Sequence, residues 1–268
     1  MKLFSCEQIR QLDQYTILYE PVASIDLMER VADALCDALM GEYPFTVSSF
    51  YIVAGTGNNG GDALALARKL CEQGYQVQAH LIAGSSLSSD CAVNRQRLMD
   101  EFPEVLTEYA DEKLVLPVPD EDQIIIDGIF GSGLNRPVTG TFARIIHFIN
   151  DLPNKVIAID VPSGLNVDSY HRITDVTVKA DLTFTLQFPK IAFFFIENEP
   201  FVGRWKVLDI GLHPAGINEM NTHWHFMEAE AMRPLLRRRS RFAHKGNFGH
   251  LAIVAGSKGM AGASILAS

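Results

Sequence analysis

The sequence predicts an α/β protein: a doubly wound, mainly parallel sheet with helices on both faces, of Rossmann-like type. Three observations predict it. Continuous apolar runs at 50–54, 124–126 and 156–159, with a strand-like run at 77–83, alternate with amphipathic runs. A strand that is apolar at every position is buried on both faces, as in a parallel sheet. The first run leads into the glycine turn Gly55-Thr56-Gly57-Asn58-Asn59-Gly60-Gly61-Asp62, and two later runs end on aspartate, Asp127 and Asp160, each followed by a glycine-bearing loop. Crossovers in such sheets are right-handed, and ligands bind beyond the carboxyl ends of the strands.

Along the chain, Cys6 to Leu18 reads as a helix with Ile9, Leu12 and Ile17 among polar residues. Ser24 reads as the N-cap of a second helix, with Leu27, Met28, Val31, Leu35 and Leu39 at helical spacing. It stops at Tyr43-Pro44, because the residue before a proline leaves the helical region. Phe50 to Ala54 is a strand, and Asp62 to Gln73 is its helix, closed by Gly74. Val77 to Ala83 is a strand, Ser88 to Glu101 a helix stopped by Phe102-Pro103, and Val105 to Tyr109 a short strand. Ile124 to Ile126 is a buried strand ending at Asp127; Thr141 to Ile149 is a helix with Phe142, Ile145, Ile146 and Ile149 on one face. Val156 to Ile159, Leu182 to Leu186 and Trp205 to Ile210 complete the strands.

Residues 1–225 are expected to form the first domain, and 226–243, holding the basic run Arg233 to Arg241, a solvated linker. From His244 the pattern restarts with a strand at Leu251 to Ala255, a glycine turn from Gly256 to Gly262 and a small-residue helix from Ala263. So short a span cannot hold a domain, so 244–268 is expected to open a further one, in a longer protein cut short here.

The chain has 268 residues, is 47% hydrophobic and carries a net charge of −9. That balance argues against nucleic acid or an anionic membrane as the main partner; an anionic ligand needs a local positive site, which a helix N-terminus supplies. No apolar run approaches a membrane span, and the N-terminus lacks a signal peptide's apolar core. Cys6, Cys36, Cys71 and Cys91 show neither CxxC nor zinc-like spacing. Reduced thiols in a cytoplasmic protein are expected, with Cys36 and Cys71 as small buried hydrophobes.

Three loops place polar groups just past a strand: Asn58 to Asp62, Asp127 through Gly131 to Pro137, and Asp160-Val161-Pro162-Ser163-Gly164. Each has an ordinary structural reading. Asp62 could cap its helix, Asp160 could stabilise a turn, and the Gly131 loop could be a plain crossover. The first turn also lacks the GxGxxG spacing and the P-loop lysine. Together, at the carboxyl ends of three strands, the loops predict one shared site rich in oxygen ligands. A dinucleotide-dependent oxidoreductase is disfavoured, since Val77 to Ala83 also ends without an acid for a ribose. A non-catalytic nucleotide- or protein-binding module of the same fold stays open at this point.

Taken together, GTGNNGGD with its ALALARKL helix, DGIFGSGLNRPVTG and AIDVPSGLNVD resemble the NAD(P)H-hydrate epimerase family, the YjeF N-terminal domain, across about residues 1–225. Leu27-Met28-Glu29-Arg30, the stretch from Ala180-Asp181 to Phe188-Pro189-Lys190, and Val207 to Gly211 fit it as well. The tail HKGNFGHLAIVAGSKGMAGA resembles the start of the ribokinase-like dehydratase domain of bifunctional members. Departures from the family pattern are Ala63, Ser169-Tyr170 and Phe188; they bear on loop shape more than on the ligand positions.

The resemblance implies an isomerase that interconverts the R and S forms of C6-hydrated NADH or NADPH, a repair activity. Dehydratase (lyase) activity is then expected to be absent from these residues. It implies that Asn58, Asn59, Gly60, Gly61, Asp62, Gly131, Ser132, Gly133, Leu134, Asn135, Arg136, Pro137 and Asp160 bind the hydrated dinucleotide. It implies that Asn59, Asp127 and Ser163 hold a potassium ion, K+, and their amide, carboxylate and hydroxyl oxygens suit a hard cation. Asp160, at a strand end, is the first choice of catalytic acid and base; Lys190 is the second candidate, as acid or electrostatic partner. A homodimer is compatible with the family; the amphipathic N-terminal helices could supply its interface or equally pack on their own sheet.

Overall fold

Every pairing in the main sheet is parallel, as the unbroken apolar runs require. The computed structural model describes residues 1–44, 49–82, 86–110, 114–169, 175–236, 240–247 and 250–267. The chain divides into two compact units, Met1–Phe226 and Met227–Ser268.

The first unit runs β1 (Lys2–Leu3), α1 (Cys6–Tyr19), α2 (Ser24–Glu42), β2 (Ser49–Ala54), α3 (Asn58–Glu72), β3 (Gln76–Ile82), α4 (Ser89–Glu101), β4 (Leu106–Tyr109), β5 (Ile124–Gly128), α5 (Gly140–Asp151), β6 (Val156–Ile159), β7 (Leu182–Leu186), α6 (Glu199–Val202), β8 (Arg204–Leu208), α7 (Pro214–Glu219) and β9 (Trp224–His225). Seven strands form the sheet in the order β4-β3-β2-β5-β6-β7-β8. The order reverses direction between β2 and β5, which pair with Val53 opposite Asp127 and Ala54 opposite Gly128. A crevice opens at such a reversal because the connections leave the two strands toward opposite faces.

Alternate residues of β2 feed two cores. Phe50, Ile52 and Ala54 join α1, α2, α3 and α4 on one face, while Tyr51 and Val53 join α5 on the other. β1 and β9 form a separate antiparallel pair. The Lys2 ammonium reinforces it by donating to the carbonyls of Ile217, Asn218 and Met220 at the end of α7.

Four expectations are corrected. Helix α3 begins at Asn58, with Gly57 as its cap, so Asp62 is its fifth residue and cannot be its N-cap. The glycines allow this early start. A Cβ on Gly60 would lie 1.8 Å from the Gly55 carbonyl oxygen, and one on Gly128 would lie 2.4 Å from the Ala63 Cβ. Ser24 is the first residue of α2 and not its cap; that place falls to Ala23, without a side-chain bond. The Ser24 hydroxyl instead donates to Asp90 on α4. Trp224–His225, where an irregular or helical connector from Trp224 to Arg241 is expected from the sequence, forms β9. The segment 251–255 is not a strand: it has no partner strand among the described residues, and all five residues are exposed. Ala83 and Tyr170 lie outside the described residues.

The second unit contains α8 (Ala229–Met232), two 3-10 turns and α9 (Gly262–Ala267), and none of its described residues is buried. The four cysteines are free thiols; Cys36 is buried as expected, whereas Cys71 is half-buried.

Candidate active site

Over the β2/β5 reversal lies a cavity of about 650 Å³. The expected loops provide its floor. Asn58, Asn59 and Asp62 line it from α3, Gly131 to Arg136 from the loop after β5, and Asp160 and Lys190 from beyond β6 and β7. Gly60 and Gly61 lie buried beneath it, and Pro137 is exposed and does not line it. Asp127 and Ser163 are buried in the layer underneath.

The opposite wall comes from α1 and α2, with Ile9, Arg10, Asp13 and Ile17 on the first and Leu27, Met28 and Val31 on the second. The sequence reading missed this wall. A signal existed: Ile9, Asp13 and Ile17 stand four residues apart and so share one helical face, which sets a carboxyl inside an apolar stripe. The start of α1 is pinned to the glycine loop. Cys6 Sγ donates to the Ser132 carbonyl at 2.8 Å, and the Arg10 guanidinium donates to that of Gly133 at 3.3 Å.

Asp127 ends β5 in extended backbone and is wholly buried. Its carboxylate accepts from the Ile129 and Ser163 amides at 3.2 and 2.7 Å and from the Ser163 hydroxyl at 2.5 Å. Burial pushes its pKa up to about 6, because the three donors pulling the other way are all uncharged. Ser163 Oγ also accepts from the Phe130 amide, at 2.8 Å. The next residue, Gly131, faces Asn59: a Cβ there would come within 3.0 Å of the Asn59 side-chain oxygen. Asn59, Asp127 and Ser163 therefore converge on the Phe130–Gly131 segment. The Asn59 side-chain nitrogen is buried with no hydrogen-bond partner among the described residues.

Asp160 follows β6 with φ of 65°, a left-handed conformation that costs a non-glycine residue energy. That turn carries the carboxylate back over the strand end. Its Oδ1 accepts from the Lys190 ammonium at 2.8 Å and its Oδ2 from the Ser132 amide at 3.0 Å. Burial alone would raise its pKa, but the Lys190 charge and the bonds from Lys190 and Ser132 outweigh it and hold Asp160 below the ordinary carboxylate value.

Lys190 is only 1% exposed, so it is no surface lysine. Its ammonium donates to Asp160 and to the carbonyls of Leu186 and Phe188, at 3.0 and 3.1 Å. Phe188, one of the departures from the family pattern, packs edge-on against Phe4 with ring centroids 4.8 Å apart. Gln187, between Leu186 and Phe188, is also left-handed, φ 59°, and its side-chain oxygen receives the Ile210 amide at 3.0 Å.

Two further carboxyls share the cavity. Asp62 is buried, and burial together with the charges of Asp160 and Asp13 pushes its pKa well up. Asp13 is half-buried, and burial followed by the Asp160 charge raises its pKa to about 7, with Lys190 opposing. No hydrogen-bond donor among the described residues reaches either carboxyl. Nor do the described residues hold any group of three or more His, Cys, Asp or Glu side chains fit for a metal, so a transition-metal centre of that kind has no basis in them.

A doubly wound parallel sheet with an acid-lined cavity over its switch point defines an α/β protein that takes a small molecule at the strand ends. Residues 24–192 match the family described as YjeF-related protein N-terminus, and the chain belongs to that family. It is 37% identical to the NAD(P)H-hydrate epimerase of Limosilactobacillus fermentum over 75% of this chain and 93% of that one. It is 32% identical to the bifunctional NAD(P)H-hydrate repair enzyme Nnr of Coxiella burnetii over 99% of this chain and 53% of that one. The chain thus spans about half the length of this bifunctional relative. The crystal structure of yeast ynu0 superposes with a TM-score of 0.60 at 22% identity, covering 71% of this chain and 82% of that one, a likeness of fold.

Proposed function

We propose that this chain epimerises the R and S forms of C6-hydrated NADH or NADPH. Membership of the family and the 37% identity to an epimerase support this. The observation that carries it is the Asp160 carboxylate, kept ionised by Lys190 inside a cavity over the β2/β5 reversal that also holds Asp13 and Asp62. The hydrated carbon carries a hydroxyl next to a ring nitrogen. Expelling that hydroxyl as water, pushed by the nitrogen lone pair, leaves a planar iminium cation that water can re-enter from either face. A fixed carboxylate stabilises that cation more than the neutral substrate, which is what accelerates the step. The N-terminus of α3 and the guanidinium groups of Arg10 and Arg136 supply positive charge for the pyrophosphate.

In this reading Asn59, Asp127 and Ser163 hold K+. The amide oxygen of Asn59, the carboxylate of Asp127 and the hydroxyl of Ser163, all on buried residues, are the hard donors such a cation takes. Bound there, the ion would offset pyrophosphate charge. Residues 244–268 open a ribokinase-like dehydratase domain, and 226–243 link it to the epimerase. The protein works in the cytoplasm, without nucleic acid or membrane as partner, and a homodimer is compatible with it. Among the described residues no helix is long and apolar enough to cross a membrane.

The test is to add purified R form to the protein together with an S-specific dehydratase. Consumption of the R form at a rate that scales with this protein supports epimerisation. Tight binding with an unchanged R-to-S ratio would show a binding module instead.

A further inference from the structure

Asp160 is well placed to face a cation but poorly placed to deliver a proton. Its Oδ1 receives Lys190 and its Oδ2 the Ser132 amide, so both oxygens are occupied and the carboxylate stays ionised. Expulsion of a hydroxyl as water still needs an acid. Two other carboxyls line the cavity, Asp13 and Asp62. Asp62 is the more buried of the two, 7% exposed in the first turns of α3. Asp13 lies on the opposite wall, half-buried and lining the cavity.

We infer that Asp13 is the proton carrier of this site, working across the cavity from the Asp160–Lys190 pair. The inference rests on the proposed epimerisation. In the step, the Asp13 carboxyl gives its proton to the C6 hydroxyl. The C6–O bond breaks with its electron pair leaving on water, and the ring-nitrogen lone pair forms the C=N bond. Water then adds to C6, the C=N pair returns to nitrogen, and the proton released goes to the Asp13 carboxylate. Nothing is oxidised or reduced.

The surroundings suit the task. Asp160 and Lys190 face Asp13 from beyond β6 and β7, Asp62 faces it from α3, and Arg10 stands one turn away on α1 itself. Helix α2 contributes only Ser24 and apolar side chains to the cavity. With a pKa near 7 the group populates both forms at neutral pH, as a residue that must both give and take a proton requires. Removing the acid form disables the first step, so the rate falls as pH rises past that value.

The experiment measures R-form epimerisation through the coupled dehydratase, from about pH 6 to 8.5, for wild type, Asp13→Asn and Asp13→Glu. Wild-type kcat should fall above about pH 7. Asp13→Asn should lower kcat by roughly 10²- to 10⁴-fold with little change in KM and abolish that limb, and Asp13→Glu should restore part of both. Asp13→Asn with near wild-type kcat and the limb intact overturns the inference. So does a wild-type profile flat across the range, which decides the matter even if the variant fails to fold. No turnover by wild type at any pH refutes the proposed function itself, and this proposal with it.

Discussion

The ends of β5 and β6 look alike in sequence and behave oppositely in the fold. Each is an apolar run closing on an aspartate, and each carboxyl is buried. Asp127 stays in extended backbone and meets only uncharged donors, so burial wins and its pKa rises to about 6. Asp160 turns left-handed and meets an ammonium, so it stays ionised. The difference is made by residues 30 and more positions away, Lys190 for one and Ser163 for the other. A strand-end aspartate therefore carries no fixed meaning: its charge is set by which later loop folds over it.

The largest break in this comparison is Asp160→Asn. It leaves the Lys190 ammonium buried beside a neutral amide, an imbalance that costs about 3–5 kcal/mol. Urea unfolding should show that loss, and epimerisation should collapse with it. The double variant Asp160→Asn, Lys190→Met should recover much of the stability and none of the turnover. If it recovers neither, the pair is not the unit described.

The second test uses pH. A carboxyl whose folded pKa is raised contributes stability at low pH and loses it as pH climbs through the folded value; a lowered one does the reverse. Relative to Asp127→Asn, the wild-type protein should lose on the order of 2–3 kcal/mol between about pH 4 and 7 in potassium-free buffer. Added KCl should flatten that loss if Asp127 takes part in holding K+. Asp160 acts with the opposite sign, its contribution intact at neutral pH and falling away only in acid.

The smallest effect is Ser163→Ala. It removes one of the three donors to Asp127 and the acceptor for the Phe130 amide, worth about 1–2 kcal/mol by thermal or urea unfolding. An equal loss at pH 5 and pH 8 would show that the hydroxyl does not favour the ionised carboxylate.

Much of this was legible beforehand. Strands buried on both faces announce themselves as unbroken apolar runs, so β2, β5 and β6 fell within a residue or two of their expected places, and β7, whose apolar residues alternate with threonines, did so too. The three polar loops followed from their position after those strands. What the chain hid was long-range. Nothing local marks Lys190 as buried, because its burial depends on Phe188 packing against Phe4 and on carbonyls that curl around its ammonium. Ser24 looked like a cap because a serine before an apolar helical pattern usually is one, yet α4 supplied it with Asp90. Two-residue strands such as β1 and β9 are set by pairing alone and leave no periodicity to read. Asp13 was hidden for the opposite reason: an acid on an amphipathic helix is ordinary until the helix is known to roof a cavity.

The join between the two ends of the first unit has a consequence for how the protein is made. Met1 donates its amino group to the Phe226 carbonyl, and Lys2 gathers three carbonyls from 217–220. Helix α1 thus precedes every strand of the main sheet in the chain, yet the join beside it closes only when residues 217–226 arrive. Contacts so far apart in sequence form late, after the loop closure they demand. Until residue 226 has emerged, the roof bearing Asp13 is held to the nascent sheet only by contacts such as those of Cys6 and Arg10 with the glycine loop, so the cavity is fully fastened only after the whole first unit has been made.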